Sequence, residues 1–105
     1  MKLELDKFTL DYLLAFMRKP RKVMGALVVT IDELKNNYGD IIPAHEVCRI
    51  TQSYRGYGIE TIDVQEDGRK HEIHRVKHSC VRFFRPELTV EDLKKLPRLC
   101  VKQLG

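Results

Sequence analysis

Between Met24 and Phe84 the apolar residues recur at every second position, in short runs separated by glycine, proline and Asn/Asp-rich stretches. A period of two sends alternate side chains to opposite faces, which is the pattern of strands and not of helices. Leu27, Val29 and Ile31 alternate with Val28 and Thr30, and the β-branched content suits a pleated, half-buried surface. Asp32 to Asp40 follows as a long polar loop with room for one helical turn. Pro43 opens a second extended run, with Ala44, Glu46, Cys48 and Ile50 on one face and Val47 and Arg49 on the other. Ser53-Tyr54-Arg55-Gly56-Tyr57-Gly58 reads as a glycine-punctuated turn, or a bulge where the sheet bends. Ile59 to Gln65 is a third strand with Ile62 and Val64 facing together, and Asp67-Gly68 is the strongest hairpin signal in the chain. Lys70 to Val76 answers as the fourth strand, Val81 to Phe83 is a short fifth, and Pro86 ends it.

The two ends change period. From Asp6 to Lys19, Leu10, Leu13, Leu14 and Met17 fall at helical spacing, Asp6 can cap the start, and Pro20 stops the run. Phe8, Tyr12, Ala15 and Phe16 widen this apolar surface beyond one stripe, as in a helix that packs on two neighbours or on a second copy. Near the other end Thr89 is an expected N-cap, with Glu91 and Asp92 in the first turn where the helix dipole favours acids. Pro97 breaks that helix, and Leu99 to Leu104 form an apolar tail expected to dock. The 105 residues fit one domain, read as an N-terminal helix over 1–22, a β region over 23–85 and a C-terminal helix and tail over 86–105.

Composition narrows the function classes. Cys48, Cys80 and Cys100 are odd in number, widely spaced and without a C-x-x-C pair, so they read as reduced thiols rather than a disulfide framework or zinc ribbon. The longest apolar stretch, Tyr12 to Met17, falls far short of the ~20 residues that span a bilayer, and acids at the N-terminus argue against a secretory signal. These features predict a cytoplasmic protein with no membrane partner. No phosphate-binding glycine loop, dinucleotide fingerprint, H-E-x-x-H or nucleophile elbow is present, so a non-enzymatic protein without a cofactor is expected.

The order of elements resembles a Src-homology-3-like (SH3-like) barrel: five short strands, a long polar loop after the first, a tight Asp-Gly hairpin, and a kink before the last strand. The segment Arg75-Val76-Lys77-His78-Ser79-Cys80-Val81-Arg82-Phe83 looks like the strand, single 3₁₀ turn and closing strand that end such barrels. The likeness covers about residues 23–85 and implies a mainly β fold, a small five-stranded barrel with an N-terminal helix and a short C-terminal helix. Peptide-binding members carry a tryptophan in an aromatic groove, and this chain has none, with Tyr38 the loop's sole aromatic. The resemblance therefore points toward the nucleic-acid and ribosome-associated barrels, which use basic strands and loop aromatics.

The placement of charge matters more than its size. The net charge is only +4, yet from Arg69 to Arg85 there are six Lys or Arg against Glu72 alone. That stretch reads either as a footprint for phosphate or an acidic partner or as solvated bases on exposed strand positions. Either Tyr54, Arg55 and Tyr57 add planar surfaces and a guanidinium on a flexible turn, a combination that suits bases and phosphate, or the two tyrosines cover the barrel end while the glycines only permit a sharp bend. The expected interface with RNA or DNA comprises Tyr54, Arg55, Tyr57, Arg69, Lys70, His74, Arg75, Lys77 and Arg82. An alternative is a protein-interaction or assembly component, such as a bacterial or phage accessory protein, binding a protein partner or forming a homodimer through its terminal helices. His71, His74, His78 and Cys80 would suit zinc on a helix, but in a strand His71 points away from the other two, so metal is not expected. Cys80, two residues from His78, is a packing residue on this reading rather than a nucleophile.

Overall fold

A computed structural model describes residues 1–3 and 19–95. The expected helix before Pro20 and the apolar tail after Pro97 lie outside the described residues. What is described is mainly β, with one short helix, and none of its helices is long and apolar enough to cross a membrane.

Five strands form one antiparallel sheet: β1 (Leu27–Thr30), β4 (Val47–Gln52), β5 (Tyr57–Thr61), β6 (Glu72–Val76) and β7 (Val81–Phe83), in the order β6-β5-β4-β1-β7. β2 (Leu34–Lys35) and β3 (Ile41–Ile42) pair as a separate hairpin. β1 therefore sits between β4 and β7, with Val28 opposite both Cys48 and Phe83. The expected barrel is not closed, because β6 and β7 are the two edges of the ladder and do not pair. They are joined only through the 3₁₀ turn His78–Cys80 and Lys77 before it. Edges of a flat five-stranded sheet would lie about 19 Å apart, which is beyond a connection this short once it coils. The sheet must curl, and it curls without sealing.

The curl encloses one core. Val28, Ile42, Cys48, Ile50, Tyr57, Ile59, Ile73, Val76 and Val81 form it, and Val28, Ile42, Cys48 and Ile59 are wholly buried. A second cluster of Leu3, Val29, Val47, Phe84 and Leu93 covers the outer face of β1 and β4. Consequently Val28 and Val29 are both buried although they point oppositely, and β1 has no solvent face. Leu93 comes from helix α1 (Val90–Lys94), which starts as expected: Thr89 and Asp92 form a reciprocal capping box. Leu3 is held by its N–H to the His45 carbonyl at 2.8 Å, and the Met1 ammonium pairs with the buried Glu46 carboxylate. A buried carboxylate needs such a partner to offset its lost hydration.

Two expected local structures differ. Residues 32–40 contain no helical turn, because the Asn36 carboxamide oxygen accepts from the N–H groups of Tyr38 and Asp40, both at 2.9 Å, and folds the segment into the β2–β3 hairpin. The third strand ends at Thr61 rather than Gln65. Beyond it Ile62 packs on the second core while Val64 stays 58 % exposed, so the two do not share a face. The Asp-Gly turn reverses the chain as expected, with Gly68 at φ 84° and its N–H on the Gln65 carbonyl at 2.9 Å.

Candidate nucleic-acid interface

β5 is where the site begins. Both of its ladders shift register beside Gly58: β4 carries an extra residue between Ile50 and Gln52, and β6 an extra one between Ile73 and Val76. A Cβ on Gly58 would stand 2.9 Å from Gln52 and Thr51 of β4 and 3.0 Å from the His74 ring of β6. Glycine there lets the His74 imidazole lie across β5, where Nδ1 meets Gln52 Oε1 at 2.6 Å and Nε2 meets Glu72 Oε1 at 3.2 Å.

The bulge on β6 turns Arg75 outward, with φ at 58°. Arg55, in the loop joining β4 and β5, has φ 52°. A positive φ is uncommon outside glycine. Of the three such residues among those described (the third is His45), these two line one recess of about 270 Å³ with Gln52, Tyr54 and His74. The Arg55 guanidinium lies 5.5 Å from the centre of the Tyr54 ring, which is 69 % exposed. Such a cation on one ring face leaves the other for a planar ligand.

His74 and Arg75 also line a larger groove of about 760 Å³, between β6 and the β2–β3 hairpin. Lys35, Asn36 and Tyr38 come from the hairpin and Arg69, Lys70, Glu72 and Ile73 from the other wall. Three ties hold the hairpin against that wall. Asn36 Nδ2 donates to the Glu72 carbonyl at 3.4 Å, His71 Nδ1 bonds the Ile41 carbonyl at 2.7 Å, and Arg69 pairs with Asp40. The Arg69–Asp40 pair neutralises one base against one acid. Lys35 pairs at 3.4 Å with Glu33, which does not line the groove, and Lys70 and Arg75 still outnumber Glu72, so the groove is basic. Tyr38 stands on its hairpin side, 90 % exposed.

Six of the nine expected interface residues are thus brought together: Tyr54, Arg55, Arg69, Lys70, His74 and Arg75. Tyr57 is not available. It is 1 % exposed, stacked on His78 at 4.1 Å between centroids and edge-on to Phe83 at 5.7 Å. The strand turns it inward because it opens β5, whereas Tyr54 stays on the loop. Lys77 precedes the 3₁₀ turn and lines neither cavity. Arg82 is on β7, the opposite edge, with its guanidinium donating to the carbonyls of Val81 (2.9 Å) and Ser79 (3.2 Å).

Sequence reasoning missed Lys35 as a site residue and left Tyr38 as a departure from another binding mode. An aromatic inside the polar run Asn36-Asn37-Tyr38-Gly39 was the available signal, since such a side chain has no core to enter. The histidines disperse, with His71 on Ile41 and Asp67, His74 on Gln52 and Glu72, and His78 on Tyr57. Among the described residues no group of three or more His, Cys, Asp or Glu is placed to hold a metal. No protein-family model, curated protein or solved structure matches the chain.

Proposed function

We propose that this protein is a non-enzymatic binding module that holds nucleic acid along β6. The observation that carries the reading is the sharing of His74 and Arg75 between two cavities, which joins Lys35, Lys70, Arg75 and Arg55 into one basic surface. Phosphates need such cations without needing catalytic groups. The strand order β6-β5-β4-β1-β7, the hairpin in the loop after β1 and the 3₁₀ turn before β7 support the SH3-like likeness, as an incompletely sealed barrel. That likeness bears on the fold, and the function rests on the site.

The test is a fluorescence anisotropy titration of 12-nucleotide RNA and DNA oligomers across a salt series. Binding should weaken steeply as salt rises, because neutralised phosphates release counterions. Lys70→Gln and Arg75→Gln should each lower the slope of log K against log salt, by about 0.7 for each single-strand phosphate left without its cation. Absence of any complex at low ionic strength would refute the reading.

A further inference from the structure

We infer that the nucleic acid held here is a single strand, with unstacked bases seated on Tyr38 and Tyr54 and the backbone on the cations between them; this rests on the function proposed above. Tyr38 lines the groove that Arg75 shares with the recess lined by Tyr54, so the two rings bracket a continuous basic path. They are 90 % and 69 % exposed. Large apolar rings left so far in water on an otherwise polar surface are poor packing residues and good stacking platforms. Arg55 over the Tyr54 ring adds a cation to one side of the platform and leaves the other side for a base.

A duplex offers neither feature its complement. Its base faces are already stacked on one another, so a tyrosine ring at the surface gains nothing from them. A two-stranded ribbon can enter a major groove, but here the β2–β3 hairpin is no free ribbon: Asn36 ties it to Glu72 of β6, and Ile41 and Asp40 tie it to His71 and Arg69 just before that strand. Arg55 and Arg75 both hold left-handed backbone at the recess, and local strain of this kind gathers where a ligand is met.

The experiment compares labelled 12-nucleotide pyrimidine RNA, the matching DNA and a blunt 12-base-pair duplex at one salt concentration. It uses the full chain and its Tyr38→Ala, Tyr54→Ala and Tyr54→Phe variants, each checked for folding by circular dichroism. Single strands should bind at least tenfold more tightly than duplex. Each alanine variant should lose roughly fivefold to a hundredfold in affinity with an unchanged salt slope, and Tyr54→Phe should bind like the parent because stacking needs the ring and not its hydroxyl. The RNA and DNA arms read whether the 2′-hydroxyl contributes. Equal or tighter duplex binding, or alanine variants that bind normally while Lys70→Gln does not, overturns the single-strand inference and leaves the module a nucleic-acid binder. Failure of all three probes to bind overturns both.

Discussion

Gly56 abuts Val76: a Cβ on Gly56 would stand 2.8 Å from the Val76 carbonyl oxygen, with the Arg75 carbonyl carbon 3.0 Å away. The loop bearing Tyr54 and Arg55 therefore rests its backbone directly on the β6 bulge that re-aims Arg75. Gly56 is also at φ 98°. Gly56→Ala meets both a collision and a left-handed backbone, and should cost about 1–3 kcal/mol. It should also lower oligonucleotide affinity by separating Arg55 from Arg75. Gly25→Ala, at φ 82° with open space around it, supplies the comparison. Urea denaturation and anisotropy on both variants check this; equal effects on affinity would show that the packing of this loop on β6 does not shape the site.

Two tyrosines three residues apart should behave oppositely. Tyr57 fills the core between His78 and Phe83, so Tyr57→Ala should destabilise the fold by about 3–5 kcal/mol, as for other large aromatic truncations. Tyr54 is exposed, and Tyr54→Ala should stay within about 0.5 kcal/mol of the parent. Thermal unfolding of the two variants separates them, and a large loss at Tyr54 would mean that its ring packs rather than waits for a ligand.

These residues also show how much of the molecule was legible in the sequence. Alternation marked the five strands of the main sheet, though not all of their bounds, and the inward face of Cys48 and Ile50, while turn and cap residues marked the Asp-Gly turn and the Thr89 cap, because each is decided by neighbours close in sequence. What could not be read depends on contacts made from a distance. Tyr57 turns inward because β5 begins at it, and nothing in Tyr-Arg-Gly-Tyr marks which ring that will be. Arg82 and Arg75 are seven residues apart in one basic stretch, yet the ladder sends them to opposite edges. Lys35 and Tyr38 join the site because the hairpin is held there by contacts from far along the chain, Asn36 to the Glu72 carbonyl, Ile41 to His71 and Asp40 to Arg69, the first of them a pairing across thirty-six residues.

The cysteines should differ in reactivity. Cys48 is wholly buried, and burial, helped by the nearby Glu46 carboxylate, pushes its thiol up to about 12. Only a thiolate reacts with iodoacetamide. At pH 8, peptide mapping should find Cys80, which is partly exposed, alkylated in the folded protein and Cys48 modified only after denaturation. Equal labelling of both would mean that β4 opens readily to solvent.

The last expectation concerns pH and the wall of the groove. His71 faces two groups that only accept: the Ile41 carbonyl on Nδ1 and the Asp67 carboxylate on Nε2, each at 2.7 Å. A neutral imidazole has one N–H and can serve one of them, whereas the imidazolium serves both. The Ile41 hydrogen bond chiefly, and then Asp67, raise the His71 pKa, and the His71 hydrogen bond depresses that of Asp67. A raised folded pKa means that the folded state keeps a proton the unfolded chain releases. The His71 contribution is therefore complete below the ordinary value of about 6.5 and is lost as pH rises through the folded one. The Asp67 contribution is present above about 3.8 and is lost as pH falls through its depressed value. Between those limits the imidazolium pins β3 to the Asp-Gly turn beside the Asp40–Arg69 pair. In urea unfolding from pH 6 to 8 the parent midpoint should fall more than that of His71→Asn, and affinity for single strands should weaken over the same interval. Parallel pH profiles for the two proteins would show that His71 does not latch the hairpin.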